Sequence, residues 1–408
     1  MENRTGVELD LTDVFGPDPL TEGIRGKLKE LIGVLVQGEL DEALKIARYG
    51  RSDKRTGFRN GKKGRKRHTS MGTVGLEMPR ARILKGDGKS GEWQSQLVPR
   101  YERRSKSLDA MLVSMYISGT NLRRIKRTLK PLLTEAPLDK NVVSRLVGRL
   151  SAHVEAWKTR SQAAERYVYV YLDAPILKVR LFKKVRKLPI LVALGVRQDG
   201  QKEVLGMDVL MKENEAAWTL FLQDLVERGL NRPLLTIIDG HRGLRNAVDE
   251  VWPEIPVQRC TVHKLRNIEK ICLNDAYPLV KEDFHRIVNA DSHAEGLAAY
   301  KAFVRKWSAD LPKVVRSLEE AGEDLLTFYK YPGEQWKSLK TTNPIERLNL
   351  EFKRRVKTQC SLPSEKSAIL LLYGLLLSGQ IRFRRINGWK TIVQVLGARE
   401  DDLKKKAS

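Results

Sequence analysis

The chain has 408 residues and carries 75 Lys and Arg against 50 Asp and Glu, a formal charge of +25. Apolar residues make up 41% and aromatics 7%, which excludes a disordered chain and allows two to four domains with buried cores. Three cysteines (Cys260, Cys272 and Cys360) exclude a disulfide scaffold and fit a reducing compartment, and the charge asks for a polyanionic partner, nucleic acid first.

The first dozen residues are acidic and polar, unlike a secretory signal. Residues 20–48 read as helical, with Leu28, Leu31, Ile32, Leu35 and Val36 on one face and Gly38 breaking the run. The composition then shifts. Residues 51–67 hold nine Lys or Arg against one Asp, and residues 73–78 alternate like a short strand. Basic loops continue to about 104, a segment with little apolar surface that is expected to be mobile without a ligand. Arg59, Lys62, Lys63, Arg65 and Arg67 are its candidate phosphate and minor-groove contacts. The alternative is a solvated loop or a targeting run.

Helices resume at 107. Leu108, Met111, Leu112 and Met115 form one face, Gly119 ends that helix, and Thr120 can cap a second with Leu122, Ile125 and Leu129. Asp139 can cap a third, over 140–157, with Asn141, Ser144 and Arg145 near its start. The trio reads either as a helix-turn-helix variant whose third helix enters a major groove, or as a plain helical connector.

From 167 the texture changes to strands. Residues 167–173, 179–185 and 188–196 read as three strands with hairpin-length links. A helix over 213–228, a strand over 234–239, a helix over 244–251 and a strand over 257–262 follow. This order predicts a mixed α/β sheet of ribonuclease H type. Residues 264 to about 330 are charged and helical, an α-helical insertion, and Asn343 starts the next well-marked helix. The longest apolar run, 368–377, is too short to cross a bilayer and reads as a core helix.

Asp173 and Asp239 end strands that would be neighbours, 66 positions apart in sequence. Two carboxylates side by side repel, and a divalent cation relieves the repulsion. For Asp239, which precedes Gly240, a simple turn is the alternative. Asn343, Pro344 and Glu346 have the spacing of a capping box with Pro at the first helical position, and Glu351 is a rival carboxylate on the same helix. Cys260 and His263 are spaced like a metal pair, but no second pair completes a four-ligand zinc site. Cys260 also fits as a small buried residue, and His263 and His241 could reach the carboxylates.

In order along the chain stand YLDAPILKVR, ALGVRQDGQKEVLG, Glu215-x-x-Trp218, IIDGHRGLRNAV, QRCTVHKLRN and TTNPIERLN. The series resembles the bacterial Mutator-type transposases, the IS256 group, from about 50 to about 375. RTGFRNGKKGRKRHTSMGTVGLEMPRAR and MYISGTNLRRI resemble the DNA-binding half of that group. Two positions depart from it: Pro175 after the first Asp, and Thr261 where an aromatic is usual.

The resemblance implies a DDE triad on Asp173, Asp239 and Glu346. It puts the group's C/D-x-x-H motif on Cys260 and His263, and Mg²⁺, with Mn²⁺ as a substitute, on the three carboxylates. It also implies binding of terminal inverted repeats and target DNA, hydrolysis at the transposon end and joining of the freed 3′-OH. A dimer or larger assembly on the bacterial nucleoid, in the cytoplasm and off the membrane, follows from that activity. The segments this suggests are 1–50 helical, 51–104 basic, 105–160 helix-turn-helix-like, 165–270 catalytic core, 271–335 insertion and 336–408 the Glu helix and C-terminal helices. A DNA-binding regulator without catalysis, or a structure-specific nuclease without strand transfer, would share most of these features.

Overall fold

A computed structural model describes residues 18–84, 89–129, 132–133, 142, 145–146, 148–181, 184–272, 275–357, 362 and 364–398. The chain divides into two compact units, Met1–Arg149 and Leu150–Ser408.

The first unit opens with α1 (Pro19–Leu44), capped by Asp18, whose carboxylate accepts the Thr21 amide. The helix runs through Gly38, which was expected to break it. Val36, Leu40 and Leu44 bury one side, and that burial outweighs the weak helix propensity of a single glycine. The surface they pack on is a long antiparallel hairpin, β1 (Gly57–Thr69) and β2 (Gly72–Leu84), extended by β3 (Ser90–Glu92). This corrects the expectation of basic loops with one short strand. β2 supplies Val74, Leu76 and Ala81 to the core, so the polar strand β1 needs only its ladder of backbone bonds.

Next come α2 (Lys106–Ile117) and α3 (Leu122–Thr128). The α3 cap is Asn121, whose side chain accepts the Arg124 amide at 2.9 Å, in place of the expected Thr120. Leu108, Leu112, Ile125, Leu129, Leu133, Val142 and Leu146 form a small core, which gives this region three packed helical stretches. The helix expected over 140–157 is interrupted by a turn at 149–150. Its last part, α4 (Ser151–Lys158), belongs to the second unit, where Trp157 meets Tyr373 edge-on at 4.8 Å.

The second unit is built on a mixed sheet. Its strands are β4 (Tyr167–Asp173), β5 (Ile176–Leu181), β6 (Lys184–Arg197), β7 (Lys202–Val209), β8 (Leu235–Ile238) and β9 (Val257–Arg259). The spatial order is β7-β6-β4-β8-β9, antiparallel through β4 and parallel from β4 to β9. β7 was not expected. Asp199-Gly200 marks its hairpin turn, but polar residues and Gly206 blur its alternation. The strand expected over 179–185 is divided between the end of β5 and the start of β6, and β5 continues β4 along β6.

One face of β4 buries Val170 and Leu172 against α5 (Glu215–Glu227) and α6 (Arg242–Val251), through Trp218, Leu222, Leu244 and Val248. On the other face the Tyr169 hydroxyl donates to Gln335 and the Tyr171 hydroxyl to the Ser338 carbonyl. These bonds pin the return of the chain from a helical segment made of α7 (Thr261–Ile271), α8 (Tyr277–Val288), α9 (His293–Trp307), α10 (Pro312–Ala321) and α11 (Trp336–Leu339). Arg259 and the buried Lys264 both pair with Glu320 and fasten that segment to β9. α12 (Asn343–Lys357) and α13 (Glu365–Leu377) follow. The apolar run at 368–377 is buried in α13, and among the described residues no helix is long and apolar enough to cross a membrane.

Candidate active site

Leu172, Ile238 and Arg259 lie in register across β4, β8 and β9. The next residue on each strand is therefore Asp173, Asp239 and Cys260. Neighbouring strands are about 5 Å apart, so the three form a row along one sheet edge. This is the carboxyl end of the parallel strands, where α/β sheets present ligands.

Asp173 is 7% exposed. The Ala174 amide donates to it at 2.9 Å and the Asn349 side-chain amide at 3.4 Å. Burial, and then the Asp239 charge, push its carboxyl up to about 6. Asp239 is half-buried and accepts the His241 backbone amide at 3.0 Å. The turn after it needs Gly240, at φ +105°, because a side chain there would run into the Arg259 guanidinium.

Cys260 and His263 were expected on a strand end. Cys260 instead precedes α7 and His263 sits in its first turn. The thiol is buried and accepts the Thr342 amide at 3.3 Å and hydroxyl at 3.4 Å. His263 Nδ1 lies 3.3 Å from the same hydroxyl, so the imidazole donates to Thr342 and Thr342 donates to the sulfur. Hydrogen bonding to Cys260 raises the imidazole, against the lowering by burial, and Cys260, Asp173 and Asp239 add to it, so His263 stays protonated to about 9. Burial alone would push the thiol up, but its hydrogen bond and charge interaction with His263 leave it below its usual range. Thr261 donates both its amide and its hydroxyl to the Lys340 carbonyl at 3.0 Å. The Cys260–His263 turn thus holds the chain just before α12.

Glu346 stands in the first turn of α12, but the expected capping box is not formed. The helix begins at Asn343, with Thr342 O accepting the Glu346 amide at 3.0 Å. The Glu346 carboxylate points to α7 and accepts from Arg266 at 2.6 Å, with His263 Nε2 at 3.4 Å. Glu351 is tied to Arg354 and Arg355 on its own helix. Among the described residues no three His, Cys, Asp or Glu side chains are gathered closely enough to hold a metal ion. One oxygen does await a partner: Asn349 Oδ1 is buried beside Asp173 with no hydrogen bond among the described residues. Asn349, Thr342 and Arg266 were not singled out by sequence, although all three lie in the QRCTVHKLRN and TTNPIERLN stretches.

The candidate DNA contacts lie in the first unit. Lys62 is exposed and pairs with Glu77 at 3.1 Å, and Lys63 is exposed. The arginines are occupied within the unit. Arg59 pairs with Asp41 of α1, Arg65 donates to the carbonyls of Val98, Pro99 and Arg100, and Arg67 donates to the Glu102 carbonyl. Arg145 is exposed on the helical stretch after α3, and Asn141 and Ser144 lie outside the described residues.

A mixed α/β unit with the buried Asp173 beside the half-buried Asp239 at its parallel edge, in a chain of charge +25, has the constitution of a protein that acts on nucleic acid. The chain belongs to the Mutator family of transposases, whose family model it matches over residues 10–385. It is 33% identical over 359 residues to the transposase for insertion sequence element ISRM5 of Rhizobium meliloti, covering 88% of this chain and 87% of that one. It is 30% identical over 353 residues to the transposase for insertion sequence element IS256 in transposon Tn4001 of Staphylococcus aureus, covering 86% and 88%. A solved Drosophila P element transposase strand transfer complex aligns at a TM-score of 0.28 and 10% identity, covering 74% of this chain and 84% of that one.

Proposed function

We propose that the second unit is a ribonuclease H-like catalytic core and that the chain carries out both chemical steps of transposition. It would hydrolyse the phosphodiester at the end of its element and join the freed 3′-OH to target DNA. The observation that carries this reading is the register-matched pair Asp173 and Asp239 on adjacent parallel strands. The strand order, three antiparallel strands continued by two parallel ones, supports the fold assignment. The first unit, with Lys62, Lys63 and the helices after 105, would hold the terminal inverted repeats. A complex holding two ends implies a dimer or larger, working on the bacterial nucleoid in the cytoplasm.

The donors at the edge suit a hard divalent cation. Asp173, Asp239 and the unpartnered Asn349 oxygen are all oxygen ligands of the kind Mg²⁺ takes. Bound there, Mg²⁺ would activate the attacking oxygen and stabilise the leaving one. The protein's own part is to keep the acceptors in place. The Ala174 amide and Asn349 hold Asp173, the His241 amide holds Asp239, and the Cys260–Thr342–His263 chain fixes the start of the helix that bears Glu346. In this reading Glu346 is the third ligand and must exchange Arg266 for the ion.

The test uses the full chain, Mg²⁺ and a duplex carrying the element's terminal repeat beside a target duplex. Cleaved and joined products are expected, and both should vanish with Asp173→Asn or Asp239→Asn while repeat binding persists. Cleavage without joining would reduce the protein to a nuclease. Repeat binding without cleavage would leave a regulator.

A further inference from the structure

The hairpin of β5 and the first half of β6 leaves the sheet at the edge that carries Asp173. Only Ala174 and Pro175 separate β4 from β5, and the register along β6 is unbroken: Asp173 pairs with Val192 and Ile176 with Pro189. At about 3.3 Å per residue, Lys178 lies roughly 17 Å beyond Asp173. Residues 176–187 hold six Lys or Arg and no Asp or Glu. Leu177, Val179 and Leu188 are buried, and the main chain of Lys178 and Arg180 is bonded to Leu362, so one face of the hairpin is held against the unit. The other face is open. Ile176 is 55% exposed and Val185 49%, and Lys178, Arg180 and Lys187 are exposed beside them.

Lys178 stands directly opposite Lys187, a like-charge pairing that weakens a hairpin on its own. Among the described residues none of Lys178, Arg180, Lys184, Arg186 or Lys187 has a side-chain ion pair. Residues 176–187 thus carry positive charge with no acidic residue among them, which suits an anion outside the hairpin.

We propose that the hairpin is an arm that grips the phosphate backbone of duplex DNA outside the element, on the far side of the scissile phosphate. The inference rests on the reaction proposed above, because that reaction puts a phosphodiester at Asp173. Every polar side chain in residues 176–189 is a Lys or Arg, the long cationic type that makes most phosphate contacts. Its reach of roughly 17 Å corresponds to about five base pairs of duplex.

The experiment measures affinity without divalent ions, so that binding is read apart from chemistry. The full chain is titrated with duplexes that carry the terminal repeat and either about two or about twelve base pairs of flanking DNA, below and above the reach of the arm. The longer flank should bind about ten-fold tighter, with a log–log salt slope steeper by about three, one unit per phosphate contact. The triple variant Lys178→Ala, Arg180→Ala, Lys187→Ala should lose both gains, and Lys178→Arg with Lys187→Arg should keep them. A natural chain indifferent to flank length overturns the arm, and so does a triple variant that still gains from it. Cleavage in Mg²⁺ is scored separately on the same duplexes. A chain that gains from the flank but never cleaves keeps the arm and loses the reaction, and one that cleaves without the gain does the reverse.

Discussion

His263 Nε2 lies 3.4 Å from Glu346 Oε1, and its Nδ1 faces the Thr342 hydroxyl at 3.3 Å. One imidazole therefore touches both Glu346 in the first turn of α12 and Thr342, which precedes that helix. With His263 protonated to about 9, both ring nitrogens donate, which suits an acceptor on each side.

This has a pH signature. The folded value, about 9, is above the unfolded 6.5, so the stabilisation is complete below 6.5 and is lost as pH rises through 9. Thermal melts from pH 6 to 10 should show the natural chain losing stability between those values. His263→Ala should be less stable at pH 6 and much flatter across the window. An unchanged slope in the variant would move the titration elsewhere.

Asp173 predicts the opposite of an ordinary surface carboxylate. Its folded value, about 6, is above the unfolded 3.8, so stability is lost as pH rises from 3.8 through 6. At neutral pH the ionised group costs the metal-free protein on the order of 1–3 kcal/mol. Asp173→Asn should therefore raise the melting temperature at pH 7.5 without divalent ions while abolishing cleavage. Millimolar Mg²⁺ should stabilise the natural chain and leave the variant unmoved. A variant that melts lower than the natural chain would mean that the carboxylate is held by its bonds to Ala174 and Asn349 more strongly than burial and Asp239 oppose it.

The edge carrying these carboxylates was legible because its signal is local. β4 and β8 are short apolar runs, each followed or ended by Asp, and Tyr169, Val170, Ile237 and Ile238 are fully buried in them. What escaped reading depends on residues distant in sequence. β7 owes its place to pairing with β6, and β1 to apolar residues on β2 and α1. The Asn343–Glu346 spacing read as a capping box because sequence cannot show that Arg266, 80 positions upstream, claims the carboxylate. Asn349 likewise gains its meaning only when α12 is laid beside β4.

In the proposed metal site Arg266 and Asn349 would have opposite effects on Mg²⁺ affinity. Arg266 pairs with Glu346 and would compete with a cation for it, and its side chain is 52% exposed, so its removal costs little packing. Arg266→Ala should lower the Mg²⁺ concentration needed for half-maximal stabilisation. Asn349→Leu removes an unpartnered buried oxygen and should raise that concentration about 10–100-fold. Calorimetric titration with Mg²⁺ alone reads both. Equal affinities for the two variants would separate α12 from the ion site.

The first unit separates charge that holds the fold from charge that is exposed. Arg65 satisfies three carbonyls of the 98–100 segment, and Arg59 ties β1 to α1. Lys62 has one exposed ion pair, of a kind worth little, and Lys63 is exposed. Lys62→Ala with Lys63→Ala should leave the melting temperature alone, weaken binding to all duplexes and lower the log–log salt slope by about two. Arg65→Ala removes the donor to the part-buried Val98 and Pro99 carbonyls and should cost about 1 kcal/mol of stability. Any loss of DNA affinity in that variant should recover at lower temperature, where the hairpin refolds. If Lys62 and Lys63 can be removed without changing the salt slope, the phosphates lie along another face of the unit.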